Sequence, residues 1–169
     1  ELYLKRLVVG GLNRVYEIAR CFRNEGMDYA HNPEFTQVEF YAAYWDYREL
    51  MAFTEKLFAM LMEKVLGSMT VNYENHVMQF TPPFPVITFR DALIQYANVD
   101  LEEYPDRDAL AAKAQSLDVD VLAGDGRGKI ADALFKQYAR PKLIQPTFLI
   151  DHPIELSPLS KQHADNPKY

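Results

Sequence analysis

Between Arg14 and Tyr44 apolar and polar residues alternate with a period of two. That is the mark of β-strands, whose successive side chains point to opposite faces. Tyr16, Ile18 and Phe22 share one parity, interrupted by Arg20, and on a second run Val38, Phe40, Ala42 and Tyr44 share one. The pattern predicts two strands joined by a polar loop, with an apolar face for helices to cover. The other parity carries Glu17, Ala19, Cys21, Arg23 and Glu25, then Phe35, Gln37, Glu39 and Tyr41. A row that mixes charges, small residues and two rings is poor core and a good bed for a polar ligand. The loop, 24–34, holds the turn formers Asn24, Gly26, Asp28, Asn32 and Pro33, together with His31, and has Arg23 and Glu25 at its mouth.

Helical spacing dominates elsewhere. Leu2, Leu4, Leu7 and Val8 predict a short helix over 2–8 that closes at Gly10-Gly11, with Glu1 favourable to its dipole. A long helix is predicted from Tyr47 to Leu66, with a stripe of Leu50, Met51, Thr54, Leu57, Phe58, Leu61, Met62 and Val65 that reads as core. Residues 69–80 form a second hairpin around Tyr73-Glu74-Asn75, with His76 on the surface, and 81–85 are a proline-rich break. Thr88 starts another helix, with Asp91 as its capping-box partner. Asp106 to Leu117 is helical, flanked by an acidic connector (VDLEEYPDRD) that reads as solvated surface and by the turn-rich LDVDVLAGDGRG. Lys129 to Tyr138 makes a further helix ended by Pro141, Thr147 to Asp151 a strand, and HPIELSPL returns toward the ligand bed. The sum is an α+β domain of antiparallel strands with helices packed on one face.

Composition narrows the classes. A chain of 169 residues suggests one domain that buries roughly 70% of its extended surface. At 49% hydrophobic and 25% charged residues it is ordinary for a soluble globular protein. The one cysteine, Cys21, excludes an internal disulfide and cannot by itself build a metal site. No apolar run approaches the roughly 20 residues of a membrane span, and ELYLKR is no signal peptide. A net charge of -6 provides no electrostatic footprint for nucleic acid. GDGRGK lacks the spacing and trailing Ser/Thr of a phosphate-binding Walker loop.

The hairpin's polar row has the chemistry to take a nucleotide. The Arg23 guanidinium can fork onto a phosphate, a carboxylate can accept from an exocyclic amine, and Phe35 can stack on a base. An arbitrary exposed hairpin would carry the same charges merely solvated. FRNEG (22–26), HNPEFT (31–36) and VEFYAAYWDY (38–47) alter that balance. Together they resemble motif 2 of class II aminoacyl-tRNA synthetases, in particular the lysyl-tRNA synthetase version. ELYLKRLVVGG upstream, and LIQPTF with ELSPL downstream, are similar to the same family. The likeness is strong at both ends and vague between about Ser68 and Pro141.

The resemblance implies a partial class II catalytic core. Residues 1–67 would be the motif 2 region and its following helix, about 68–141 a variable insertion, and 142–169 a return to the core. It also implies an internal segment: motif 1 and an anticodon-binding domain would precede Glu1, and motif 3 would follow Tyr169. Arg23 would be the catalytic arginine that binds the α-phosphate of ATP. Glu25 and Asn32 would hold adenine edges, Phe35 would stack on the ring, and His31 would lie near the outer phosphates. Glu1 and Glu39 would hold the amino groups of lysine, with Tyr41 beside its side chain. Magnesium would bridge the phosphates through protein ligands outside this segment, so no metal ligand is assigned within it. Ala30 stands where bacterial members often carry arginine, and Cys21 replaces a commoner asparagine or arginine; Cys21 reads as a small filler.

The implied activity is ATP-dependent activation of lysine to lysyl-adenylate and its transfer to tRNA(Lys). It would belong to a larger cytoplasmic enzyme, homodimeric at full length, and residues 1–169 alone would be inactive. Two other readings stand beside it: a related ligase that attaches a lysine-like acid to a protein, and a non-catalytic interaction module with the same fold. Intact Arg23, Glu25, Phe35 and Glu39 argue against the last.

Overall fold

The computed structural model describes residues 1–24, 26–28 and 31–169, and the chain divides into two compact units, Glu1–Ala52 and Phe53–Tyr169. The first unit contains helix α1 (Leu2–Val9) and strands β1 (Arg14–Phe22) and β2 (Glu34–Ala42). α1 ends where predicted. The Gly10 N–H donates to the Arg6 carbonyl at 2.8 Å, and Gly11 takes a φ of 102°, which favours glycine. β1 and β2 pair antiparallel, Arg14 opposite Ala42 and Phe22 opposite Glu34, so each parity faces its like across the ladder.

The alternation is as read, but the covered face is the other one. Tyr16, Ile18 and Phe22 are 73%, 67% and 72% exposed, and Val38 is 55% exposed. Val15, Ala19, Cys21, Phe35, Gln37, Glu39 and Tyr41 are half-buried. Helix α1 is the reason: it contacts both strands, and its Lys5 lies over the Tyr41 ring, so it covers the polar row. A two-stranded hairpin has two faces, and this unit has one short helix to spend on them. Among its described residues only Leu4 is a buried hydrophobic.

Helix α2 (Tyr47–Leu61) crosses the division between units. A reciprocal cap starts it: the Asp46 carboxylate accepts from the Arg48 N–H at 2.7 Å, and the Glu49 carboxylate accepts from the Asp46 N–H at 2.9 Å. A π-helical turn, Met62–Leu66, completes the predicted span and closes at Gly67 with φ 65°. Its stripe is not core: Met51, Thr54, Leu57 and Met62 are half-buried, whereas Leu50, Phe58, Leu61 and Val65 are exposed.

In the second unit β3 (Thr70–Tyr73) and β4 (His76–Gln79) form the second hairpin. Tyr73 pairs with His76, leaving a two-residue turn at Glu74-Asn75 with φ of 46° and 66°. Two positive φ values give the turn whose twist matches that of the strands. β5 (Val86–Thr88) leads into α3 (Phe89–Ala97), whose first turn is capped by Thr88 accepting from the Asp91 N–H at 2.9 Å. After α4 (Arg107–Gln115), α5 (Arg127–Leu134) and a π-helical turn (Phe135–Ala139), β6 (Phe148–Ile150) returns beside β5. That pairing is parallel, against the antiparallel expectation. The helical crossover between the strands brings the chain back running in the same direction.

The best core lies where the family likeness is vaguest. Phe89, Leu93, Val99, Leu101, Leu110, Ile130 and Leu134 are all under 2% exposed. Val99 and Leu101 sit inside the acidic connector and anchor it. Glu102, Glu103, Asp106 and Asp108 are exposed, as the solvated reading expects, but Asp100 is half-buried and accepts Arg90 Nε at 2.7 Å and Nη2 at 2.6 Å, and Glu102 pairs with Arg90 at 3.2 Å. The turn-rich segment is organised by Asp125, which accepts from the Leu122 N–H at 2.8 Å and pairs with Lys129 at 2.5 Å. No helix among the described residues is long and apolar enough to cross a membrane.

Candidate active site

The ladder of β1 and β2 brings Arg23, Phe35, Glu39 and Tyr41 of the predicted site onto one face. Val15 stands opposite Tyr41, Glu17 opposite Glu39, Ala19 opposite Gln37, and Cys21 opposite Phe35. Beyond the last pair, the Arg23 N–H donates to the Pro33 carbonyl at 2.9 Å. This bond carries the alternation one step past the strand end, so Arg23 joins the row of Cys21. Its guanidinium carbon then lies 5.3 Å from the centroid of the Phe35 ring, a cation–π arrangement. Cys21, within this row, is a half-buried free thiol.

At the other end of the row the Tyr41 hydroxyl donates to Glu39 Oε1. The Glu39 bond, with burial and the negative charges of Glu39 and Glu1, pushes the Tyr41 phenol up to about 12. Tyr41 is therefore a neutral hydrogen-bond donor throughout the physiological range. Glu1 makes no side-chain cap to its helix; its carboxylate pairs with Lys5, which holds it below the usual carboxylate range.

His31 and Asn32 are exposed in the loop just before β2. His31 is not isolated: its N–H donates to Asp28 Oδ1 at 2.8 Å, and its Nδ1 lies 2.9 Å from both Asp28 oxygens. Sequence reasoning took Asp28 only as a turn former. The signal available was its spacing of three residues from His31, which lets one carboxylate hold both the backbone and the ring. Glu25 and Ala30 lie outside the described residues.

The row thus has two ends. One presents a guanidinium stacked on a phenyl ring, suited to a phosphate and a flat base. The other presents two carboxylates and a phenol, suited to ammonium groups. Among the described residues no group of three His, Cys, Asp or Glu side chains is arranged to hold a metal ion.

The whole chain, residues 1–169, matches the family model described as "tRNA synthetases class II (D, K and N)". The chain belongs to this family of class II synthetases. Curated relatives name one member of it: the chain is 46% identical over 168 residues to the lysine–tRNA ligase of Dehalococcoides mccartyi, covering 99% of this chain and 34% of that protein. It is 45% identical to the lysine–tRNA ligase of Syntrophomonas wolfei, over its whole length and 34% of the relative. To the lysine–tRNA ligase of Aquifex aeolicus it is 47% identical, over 99% of this chain and 28% of the relative. The chain therefore spans about a third of the length of these relatives.

Proposed function

We propose that this chain is part of a lysine–tRNA ligase, acting in the cytoplasm as a homodimer. Its hairpin would bind ATP and lysine for the formation of lysyl-adenylate, from which the lysyl group passes to tRNA(Lys). The observation that carries the reading is the two-ended row on β1 and β2. It joins the Arg23–Phe35 pair to the Glu39–Tyr41 pair on one continuous face, with the Glu1 carboxylate linked to Tyr41 through Lys5. The names of the relatives, at 45–47% identity across the chain, favour transfer to tRNA over transfer to a protein.

In this reaction the lysine carboxylate attacks the α-phosphorus, the bond to the bridging oxygen of pyrophosphate breaks, and pyrophosphate leaves with the electron pair. Side chains contribute by positioning and charge neutralisation. Arg23 is assigned to the α-phosphate, where its guanidinium opposes the negative charge that develops during attack. Phe35 would offer its free face to adenine, and Glu25 and Asn32 would accept from or donate to the base edges. His31, oriented by Asp28, is assigned to the outer phosphates. Glu1 and Glu39 would receive the ammonium groups of lysine, and Tyr41 would wall its side chain. Magnesium, when bound, would neutralise charge on the phosphates.

The test is amino-acid-dependent ATP–pyrophosphate exchange by the complete protein, with lysine against the other amino acids. Exchange with lysine alone is expected. Exchange driven by a different amino acid, or none from a folded protein, would overturn the assignment.

A further inference from the structure

A cation of the chain itself already lies among the residues assigned to the amino acid. The Lys5 ammonium pairs with the Glu1 carboxylate and stands 5.7 Å from the centroid of the Tyr41 ring. Tyr41 in turn donates to Glu39. The i,i+4 spacing on α1 would by itself bring Lys5 to Glu1. It would not bring a ring from β2 alongside the same ammonium. One primary ammonium, on a four-carbon stem, thus meets both a carboxylate and an aromatic wall, the two features a lysine amino group would seek there.

We propose that Lys5 is an internal counter-cation of the amino-acid site: its ammonium holds Glu1 and the Tyr41 ring while the site is free, and yields them when a substrate ammonium arrives. The inference rests on the lysine-activation reading above. A bound substrate would have to displace the Lys5 pair and then tolerate a like charge nearby. Both effects weaken binding of a cationic amino acid and neither touches the nucleotide end of the row. Lys5 is accordingly a positioning residue that sets the affinity for lysine and does not take part in chemistry. The two side chains are 51% and 61% exposed, so solvent screens the pair and the effect is modest, about two- to fivefold.

The experiment uses the complete protein, with Lys5→Met to remove the charge while keeping an unbranched apolar stem, and Lys5→Arg to keep the charge. Lysine and ATP are each varied in pyrophosphate exchange. Lys5→Met is expected to lower the KM for lysine about two- to fivefold, with kcat and the KM for ATP unchanged, and Lys5→Arg to retain the parent KM. A lysine KM that stays unchanged or rises in Lys5→Met overturns the proposal, as does an equal shift in both KM values, the mark of a merely structural role. Should Lys5→Met fail to fold, Lys5→Gln carries the same comparison. A parent protein without lysine-dependent exchange would instead fail the underlying reading, and that failure is visible before any variant is compared.

Discussion

Arg23 and Phe35 come from different strands, yet the guanidinium carbon of one stands 5.3 Å from the ring centroid of the other. The Arg23–Pro33 backbone bond and the Cys21–Phe35 pairing enforce that meeting. A stacked guanidinium has already lost some of its rotamer freedom, so less remains to be lost when it engages a phosphate. In the complete protein, Arg23→Ala should lower kcat of pyrophosphate exchange by about a hundredfold or more, the scale of losing one charge-stabilising donor. Phe35→Leu should chiefly raise the KM for ATP, by roughly tenfold, as expected for a lost base-stacking surface. Circular dichroism should be unchanged in both. Full activity in Arg23→Ala would remove the arginine from the mechanism.

The alternation of the hairpin was plain in the sequence because its period is two and its turn residues are polar. Which face is covered was not. Hydrophobicity alone assigned the cover to Tyr16, Ile18 and Val38, whereas helix α1 lies against the row of Glu39 and Tyr41. Periodicity records which residues share a face and is silent on which neighbour arrives. The same limit explains Arg90: nothing in the local pattern of VDLEEYPDRD identifies an arginine ten residues before Asp100 as its partner. The parallel pairing of β5 with β6 was likewise hidden, since strand direction follows from the whole crossover between them. Capping, by contrast, is local, and Thr88 with the Asp91 N–H was read correctly.

The contrast between the two units should be visible in hydrogen exchange. The second unit buries Phe89, Leu93, Val99, Leu101, Leu110, Ile130 and Leu134 almost completely, each contributing about 1.5–3 kcal/mol, whereas among the described residues of the first unit only Leu4 is a buried hydrophobic. Amides of α3, α4 and α5 are expected to exchange only through large-scale unfolding, and those of β1 and β2 through cheaper local opening. Equal protection of β1 and α3, measured on the chain of 169 residues, would show that the hairpin is stabilised by more than its visible packing.

Gly128 tests the packing at one point. A Cβ built there would lie 2.7 Å from Glu155 Cβ and 3.3 Å from the Glu155 carbonyl carbon. Neither is the free end of a flexible chain, and the Arg127–Glu155 ion pair at 2.9 Å helps hold the 3-10 turn Ile154–Leu156 against α5. Gly128→Ala would gain about 1 kcal/mol of helix propensity and cost about 1–3 kcal/mol in overpacking. The net expectation is a loss, read as a Tm lowered by a few degrees. A raised Tm would show that the 154–156 turn moves away without penalty.

His152 should make stability depend on pH in the mildly acid range. Its ring lies 5.7 Å from that of Phe89. Burial holds its pKa below the ordinary 6.5, while the opposing charges of Asp151 and Asp132 offset part of that effect. Well above 6.5 the ring is neutral in both folded and unfolded chains, and its titration contributes nothing to pH dependence. As pH falls below 6.5 the unfolded chain takes up the proton first, so folding loses stability until the folded ring also protonates. Denaturant midpoints measured between pH 7.5 and 5 should therefore fall more steeply in the parent than in His152→Gln, which has no proton to bind there. Parallel slopes would mean that the ring is protonated as easily in the fold as in the open chain, and that its burial beside Phe89 carries no electrostatic cost.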